Sequence, residues 1–199
     1  QCVAIRMQGG GAGGIRDARG ASEWLCASHA ERCQGGAIKA LAAALLTGPP
    51  AAGKTSLLSQ VVVHSLHHAE LVPIVIKVQR LQRLLLDTPK EFAAATNWVD
   101  AYLRLEYKDK PAVYRFLRQA LLARRVLLLL DGLDEGGTKR DEIERHVTDV
   151  LAPQGLVMLC TSRPAGLTEE RFVDFCRLQL SPLSETQQRE ALERRLGAD

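Results

Sequence analysis

Eight consecutive residues, Gly48-Pro49-Pro50-Ala51-Ala52-Gly53-Lys54-Thr55, fit the pattern G-x-x-x-x-G-K-[ST], a spacing with defined phosphate chemistry. Glycines at both ends permit turns that side-chained residues resist, so backbone N–H groups can point inward at phosphate oxygens. Lys54 supplies a mobile cation for β- and γ-phosphates. Thr55 offers a hydroxyl to Mg²⁺, and the helix that follows aims its positive end at the same anion. The loop together with Ser56, which follows it, forms the expected nucleotide-binding set.

Such a loop needs a strand leading in and a helix leading out. Leu41 to Thr47 is a short apolar run of the kind expected for a buried parallel strand. Leu57, Leu58, Val61, Val62 and Leu66 then recur at helical spacing over Thr55–Leu66.

Two further constellations end apolar strands in polar residues. Five aliphatics, Val126 to Leu130, run into Asp131-Gly132-Leu133-Asp134-Glu135. A carboxylate at the C-terminal tip of a central strand lies where open α/β sheets bind ligands. Asp131 is expected to hold the Mg²⁺ shell, and Glu135 or Asp134 to position or polarise an attacking water. The second run, Leu156 to Cys160, ends in Thr161-Ser162-Arg163-Pro164. Pro164 restricts Arg163 to extended conformations, which places its guanidinium at the same rim, able to read a γ-phosphate.

In this order, the phosphate loop, L-L-L-L-D-G-L-D-E, L-C-T-S-R-P and F-C-R-L-Q-L-S-P-L-S-E-T-Q-Q resemble the NACHT family of signal-transduction ATPases, over residues 40 to 197. Gly132, Asp134 and Glu135 match its Walker B pattern, a small residue after the first Asp and then an acidic pair. Thr161-Ser162-Arg163-Pro164 resembles its sensor 1, whose Arg contacts the γ-phosphate. The resemblance implies a P-loop NTPase fold, a three-layer α/β/α sandwich around a parallel five-stranded sheet ordered 5-1-4-3-2. It also implies ATP/ADP and Mg²⁺ as cofactors. There are departures. Family loops carry a central glycine where Ala51 stands, and Gly-Pro-Pro is closer to AAA+ ATPases. AAA+ proteins place Glu directly after the Walker B Asp, however, and Gly132 is there instead; no N-K-x-D guanine element is present.

The remaining chain supports an α/β organisation. A hydrophobic content of 46% over 199 residues is enough for a full core. Apolar stretches at Ala43–Leu46, Leu71–Val78, Val126–Leu130, Leu156–Cys160 and Phe175–Leu180 alternate with helical patterns, as parallel strands with crossover helices require. Two helices, Thr96–Glu106 and Ala112–Arg124, are predicted between the second and third strands. Thr138 with Asp141 reads as a capping box for the helix carrying Ile143, Val147, Val150 and Leu151, and Pro153 ends it. Ser184 with Gln187 reads as another, followed by Leu192, Leu196 and Gly197. The expected division is a Gly-rich segment over 1–38 with a short helix at Ala21–Arg32, an NTPase core over 39–181, and over 182–199 the first helix toward a further helical domain.

Other features offer little chemistry. Gln8 to Gly14 is a flexible low-complexity run whose glycines also satisfy G-x-G-x-x-G, a match carrying no weight in so repetitive a segment. Five cysteines lack a framework spacing; Cys160 and Cys176 fall inside apolar strands. Cys26, His29 and Cys33 lack an evident fourth zinc ligand, and His64, His67 and His68 read as residues closing a helix near its negative end. A net charge of +3 with both signs interspersed gives no nucleic-acid footprint. No apolar run approaches membrane-spanning length, and a cytoplasmic setting is expected.

The function expected is an ATP-binding regulatory module that hydrolyses slowly and switches signalling or oligomerisation within a larger protein. Its expected partners are the nucleotide, flanking domains of the same protein and, in the ATP state, further copies of itself. Two alternatives remain: a nucleotide-binding scaffold that does not hydrolyse, and a small-molecule phosphotransferase using the Asp87–Arg125 insertion as a lid.

Overall fold

The computed structural model describes residues 7–10, 15–33, 42–68, 70–181, 185 and 189. Among the described residues six strands form one sheet: β1 (Met7–Gly10), β2 (Ala43–Thr47), β3 (Val72–Lys77), β4 (Val126–Asp131), β5 (Val157–Ser162) and β6 (Cys176–Leu180). Their order is β1-β6-β2-β5-β4-β3, with β1 antiparallel to β6 and the other pairs parallel. Numbered from the phosphate-loop strand, the five parallel strands run 5-1-4-3-2, as the resemblance implies.

Burial explains the central strands. Val126 to Leu130 and Val157 to Ser162 are all buried, because layers of side chains cover both sheet faces. One face packs on α1 (Ala18–Cys33) and α2 (Lys54–Ser65) through Leu25, Leu57, Leu58 and Val61. On the other face lie α3 (Val78–Asp87), α5 (Trp98–Glu106) and α7 (Arg140–Arg145), with Leu81, Leu103 and Ile143 in the core. Each fully buried Leu, Val or Ile contributes about 1.5–3 kcal/mol, so the alternating sides of β4 anchor both layers.

The structure corrects several sequence-based boundaries. Gln8 to Gly10, the described start of the run read as flexible over Gln8 to Gly14, belong with Met7 to a sixth strand, which pairs Met7 with Leu180 and Gly10 with Arg177. Sheet pairing uses backbone N–H and C=O groups, so it can recruit glycines that no side-chain pattern would flag. Val78 leaves the predicted strand and begins α3, an amphipathic helix whose Leu81, Leu84 and Leu85 are buried. A further short helix, α4 (Pro89–Ala93), follows it. The second predicted insert helix is α6, Pro111–Leu122, which stops short of Arg124.

The capping box proposed at Thr138 and Asp141 does not form. Residues Leu133–Lys139 make 3₁₀ turns, Gly137 breaks the helical path at φ 52°, and α7 starts at Arg140 without a side-chain cap. Asp141 instead pairs with Arg145 and Arg171, each at 2.6 Å. A π-type stretch, His146–Leu151, extends α7 toward Pro153. The Ser184–Gln187 box and the residues after it lie outside the described residues, apart from helical assignments at Glu185 and Arg189. The predicted N-terminal helix is longer than expected, Ala18–Cys33, with Leu25 and Cys26 buried.

Candidate nucleotide site

The loop Gly48–Gly53 crosses from the end of β2 to the start of α2 at the C-terminal rim of the sheet. Gly48 N–H donates to the Ser162 carbonyl at 3.3 Å, tying the loop to the tip of β5. A Cβ on Gly48 would press within 3.0 Å of the Leu180 Cβ, so this position admits little beyond hydrogen. Gly53, at φ 95°, provides the left-handed turn into α2 and leaves the helix without a side-chain N-cap. Its first N–H groups are therefore suited to an anion. Ala51 also lies in the left-handed region, at φ 58°, where a Cβ is disfavoured.

Lys54 folds back over its own loop: Nζ donates to the carbonyls of Gly48 (2.8 Å) and Pro49 (2.9 Å). Partial burial lowers the Lys54 pKa. Asp134 pulls it upward, Arg163 pushes it down, and Asp131 and Glu135 act in the upward direction. Arg163 and the acids thus share one electrostatic neighbourhood with Lys54. Thr55 and Ser56 are exposed in the first turn of α2.

The three sequence constellations meet here. Thr55 Oγ1 donates to Asp131 Oδ2 at 2.8 Å. Thr161 Oγ1 donates to Asp131 Oδ1 at 2.9 Å and accepts the Gly132 N–H at 2.9 Å. This buried threonine fixes the Asp131 rotamer and the β4–β5 spacing at the rim. Sequence reasoning quoted Thr161 but gave it no role; its signal was its place at the end of β5, beside the tip of β4.

Gly132 turns the chain at φ 79°, and a Cβ there would meet the Glu135 Cδ at 3.0 Å. Glu135 thus packs over Gly132 while remaining exposed. Asp134 faces the other way. Its Oδ1 accepts the Arg163 N–H at 3.0 Å, and its Oδ2 pairs with Arg163 Nε at 3.0 Å. The Ser162 hydroxyl lies 3.5 Å from Oδ1. Gly166 packs directly against the Asp134 side chain, where any Cβ would overlap that of Asp134. The two acids that sequence left as equivalent alternatives therefore differ: Asp134 braces the Arg163 loop, and Glu135 does not.

The donor set fits Mg²⁺, because Thr55 and Asp131 offer hard oxygen atoms 2.8 Å apart beside an uncapped helix N-terminus. Among the described residues no group of three or more His, Cys, Asp or Glu side chains forms a metal cluster. Cys26 and His29 are buried in α1, and the Cys33 side chain lies outside the described residues. Among the described residues no helix is long and apolar enough to cross a membrane.

A phosphate loop opening a helix, an Asp at the tip of β4 with β5 between it and the loop strand, and a 5-1-4-3-2 sheet together define a P-loop NTPase fold. The NACHT domain family matches residues 43–199, and the chain belongs to that family. It is a nucleotide-binding NTPase module. No curated protein matches the chain. Among solved structures it is similar to PCH-2 of C. elegans, with TM-score 0.58 and 14% identity over 89% of this chain and 46% of that one. It is also similar to the Aeropyrum pernix ORC1 protein in complex with DNA, with TM-score 0.52 and 18% identity over 88% of this chain and 48% of that one. A third is AMPPCP-bound DnaA from Aquifex aeolicus, with TM-score 0.50 and 15% identity over 84% and 50%. These likenesses establish the fold. The chain spans about half the length of each of these structures.

Proposed function

We propose that the chain binds ATP with Mg²⁺ and hydrolyses it slowly, as a switch for signalling or self-association within a larger protein. The observation that carries this reading is the convergence of Thr55, Asp131 and Thr161 through two hydrogen bonds of 2.8 and 2.9 Å beside Lys54. In this reading Lys54 leaves the Gly48 and Pro49 carbonyls for the β- and γ-phosphates. The loop from Gly48 to Ser56 cradles the phosphates through the N–H groups that follow Pro50, since the two prolines have none to offer and the Gly48 N–H is bound to Ser162. Thr55 and Asp131 hold the metal, which when bound neutralises charge on the phosphate oxygens.

Glu135 is assigned to orient the attacking water, because its carboxylate is exposed at the rim and not committed to Arg163. Asp134 is assigned to position Arg163, which reads the γ-phosphate. Differential contact with that phosphate is the physical requirement of any ATP/ADP switch. A cytoplasmic setting, neighbouring domains and an oligomer in the ATP state belong to the same proposal. A solved neighbour bound to AMPPCP supports the choice of an adenine nucleotide.

A second reading, a scaffold that retains nucleotide without turnover, is favoured by the Arg163–Asp134 pair, which keeps the sensor guanidinium occupied. Single-turnover hydrolysis of ATP with Mg²⁺ separates the two. The switch reading expects turnover in the wild type, a loss of about 10²-fold or more in Glu135→Gln, and retained turnover in Asp134→Asn. Normal turnover in Glu135→Gln moves the water-orienting role to Asp134. Bound ATP that persists unhydrolysed in the wild type supports the scaffold.

A further inference from the structure

A cavity lies away from the phosphate loop. It has a volume of about 530 Å³ and is bounded by the turn after α4, by α5, by the end of α6 and by the chain entering β5. Arg124 precedes β4 and Leu156 precedes β5, so the cavity sits at the N-terminal end of the parallel strands. A six-residue strand such as β4 spans roughly 20 Å, which separates the cavity from the nucleotide rim. Its volume falls within the range of small-molecule sites.

The walls divide into two chemistries. Ala95, Ala101, Leu121 and Leu156 give an apolar lining. Three guanidiniums, Arg104, Arg118 and Arg124, come from three different segments. Arg104 is paired with Glu91 outside the lining, and Arg118 lies 3.4 Å from Asp100, which also lines the cavity and accepts the Tyr114 hydroxyl at 3.2 Å. Among the described residues Arg124 has no acidic partner. The cavity therefore carries three cations against one lining carboxylate.

Arg124 is also held at φ 55°. It ends α6 in the position where glycine is the ordinary residue, with its N–H donating to the Leu121 carbonyl at 3.1 Å and the Arg125 N–H returning to Ala120 at 2.9 Å. A long charged residue there carries backbone strain that glycine would not, and such strain concentrates at binding sites.

We propose that this cavity is a second ligand site, separate from the nucleotide site, for a small organic phosphomonoester. The apolar walls would take the organic body. Arg118 and Arg124 would take the dianionic head, since guanidinium groups match phosphate oxygens in paired hydrogen bonds.

Phenyl phosphate is the probe, added to the isotopically labelled chain and followed by amide chemical shifts. Inorganic phosphate and phenol test the head and the body alone. Expected is a saturable shift set at residues 95–104, 118–124 and 154–156, kept in Lys54→Ala and tighter for phenyl phosphate than for either half. Arg124→Gly removes the guanidinium but suits the backbone. It should fold at least as stably as the wild type and bind about tenfold more weakly. Arg118→Ala should weaken binding similarly. Shifts confined to residues 48–56, or Arg124→Gly and Arg118→Ala binding as the wild type does, overturn the proposal. Because Lys54→Ala disables only the phosphate loop, failure here is separable from failure of the ATP reading.

Discussion

Asp134 and Arg163 are joined twice: through the Nε–Oδ2 ion pair at 3.0 Å and through the Arg163 backbone N–H to Oδ1, also at 3.0 Å. The side-chain bond restrains the Arg163 guanidinium, while the backbone bond shapes the loop that carries it. Asp134→Asn separates these effects, because the amide keeps an oxygen acceptor and loses the charge. A partly exposed pair contributes up to about 1 kcal/mol. Releasing Arg163 should therefore raise the preference for ATP over ADP by up to roughly fivefold. Parallel titrations of both nucleotides would check this, and an unchanged or reduced ratio contradicts the restraint.

Gly166 is the other side of that contact. Gly166→Ala forces a Cβ into Asp134, which cannot retreat without breaking its bonds to the Arg163 loop. A loss of about 1–3 kcal/mol is expected from such overpacking, read as a lowered chemical-denaturation midpoint. Stability equal to the wild type would show that the β5 loop is not held against the β4 loop.

Ala51 stands in the left-handed region at φ 58°. A side-chained residue there costs about 1–2 kcal/mol, partly offset because glycine loses more chain entropy on folding. Ala51→Gly should thus stabilise the chain by about 0.5–1 kcal/mol. Calorimetry reads this as a small rise in Tm. A fall in Tm would mean that the loop relaxes to negative φ at that position.

His146 ties stability to pH. Its ring stacks on Trp98 at 4.2 Å between centroids, and its Nε2 accepts the Trp98 backbone N–H at 3.1 Å. Burial lowers its pKa from 6.5 to about 4. The unfolded chain therefore binds this proton first as pH falls. The stabilisation is complete above about pH 6.5 and is lost progressively as pH drops toward about 4. His146→Gln keeps an acceptor but cannot titrate. Its unfolding free energy should lose up to one proton's dependence, about 1.4 kcal/mol per pH unit, between those values. An identical pH profile in both proteins would remove His146 from the account.

The sequence made most of the nucleotide rim legible because its chemistry is local. Gly53, Lys54 and Thr55 are fixed by spacing, and Val126 to Asp131 is an apolar run ending in an acid. Thr161 was quoted without a role because its function depends on β5 lying beside β4, a pairing that no local pattern contains. The split between Asp134 and Glu135 was hidden for a similar reason. It follows from a turn at Gly132 that sends one acid to β5 and the other over the glycine. The strand order came from resemblance, and β1 was missed because its pairing uses backbone groups of a glycine-rich run. The supposed cap at Thr138 failed because Gly137 breaks the path into α7.

The central claim is that Lys54, Thr55 and Asp131 hold a nucleoside triphosphate with its metal. The most direct measurement is equilibrium ATP binding by titration calorimetry, with Mg²⁺ and with EDTA, for the wild type, Lys54→Ala and Asp131→Asn. Saturable binding in the wild type is predicted, abolished by Lys54→Ala. Asp131→Asn should remove the advantage of Mg²⁺ over EDTA while leaving residual binding. Unchanged affinity in Lys54→Ala would contradict the phosphate assignment and, with it, the switch.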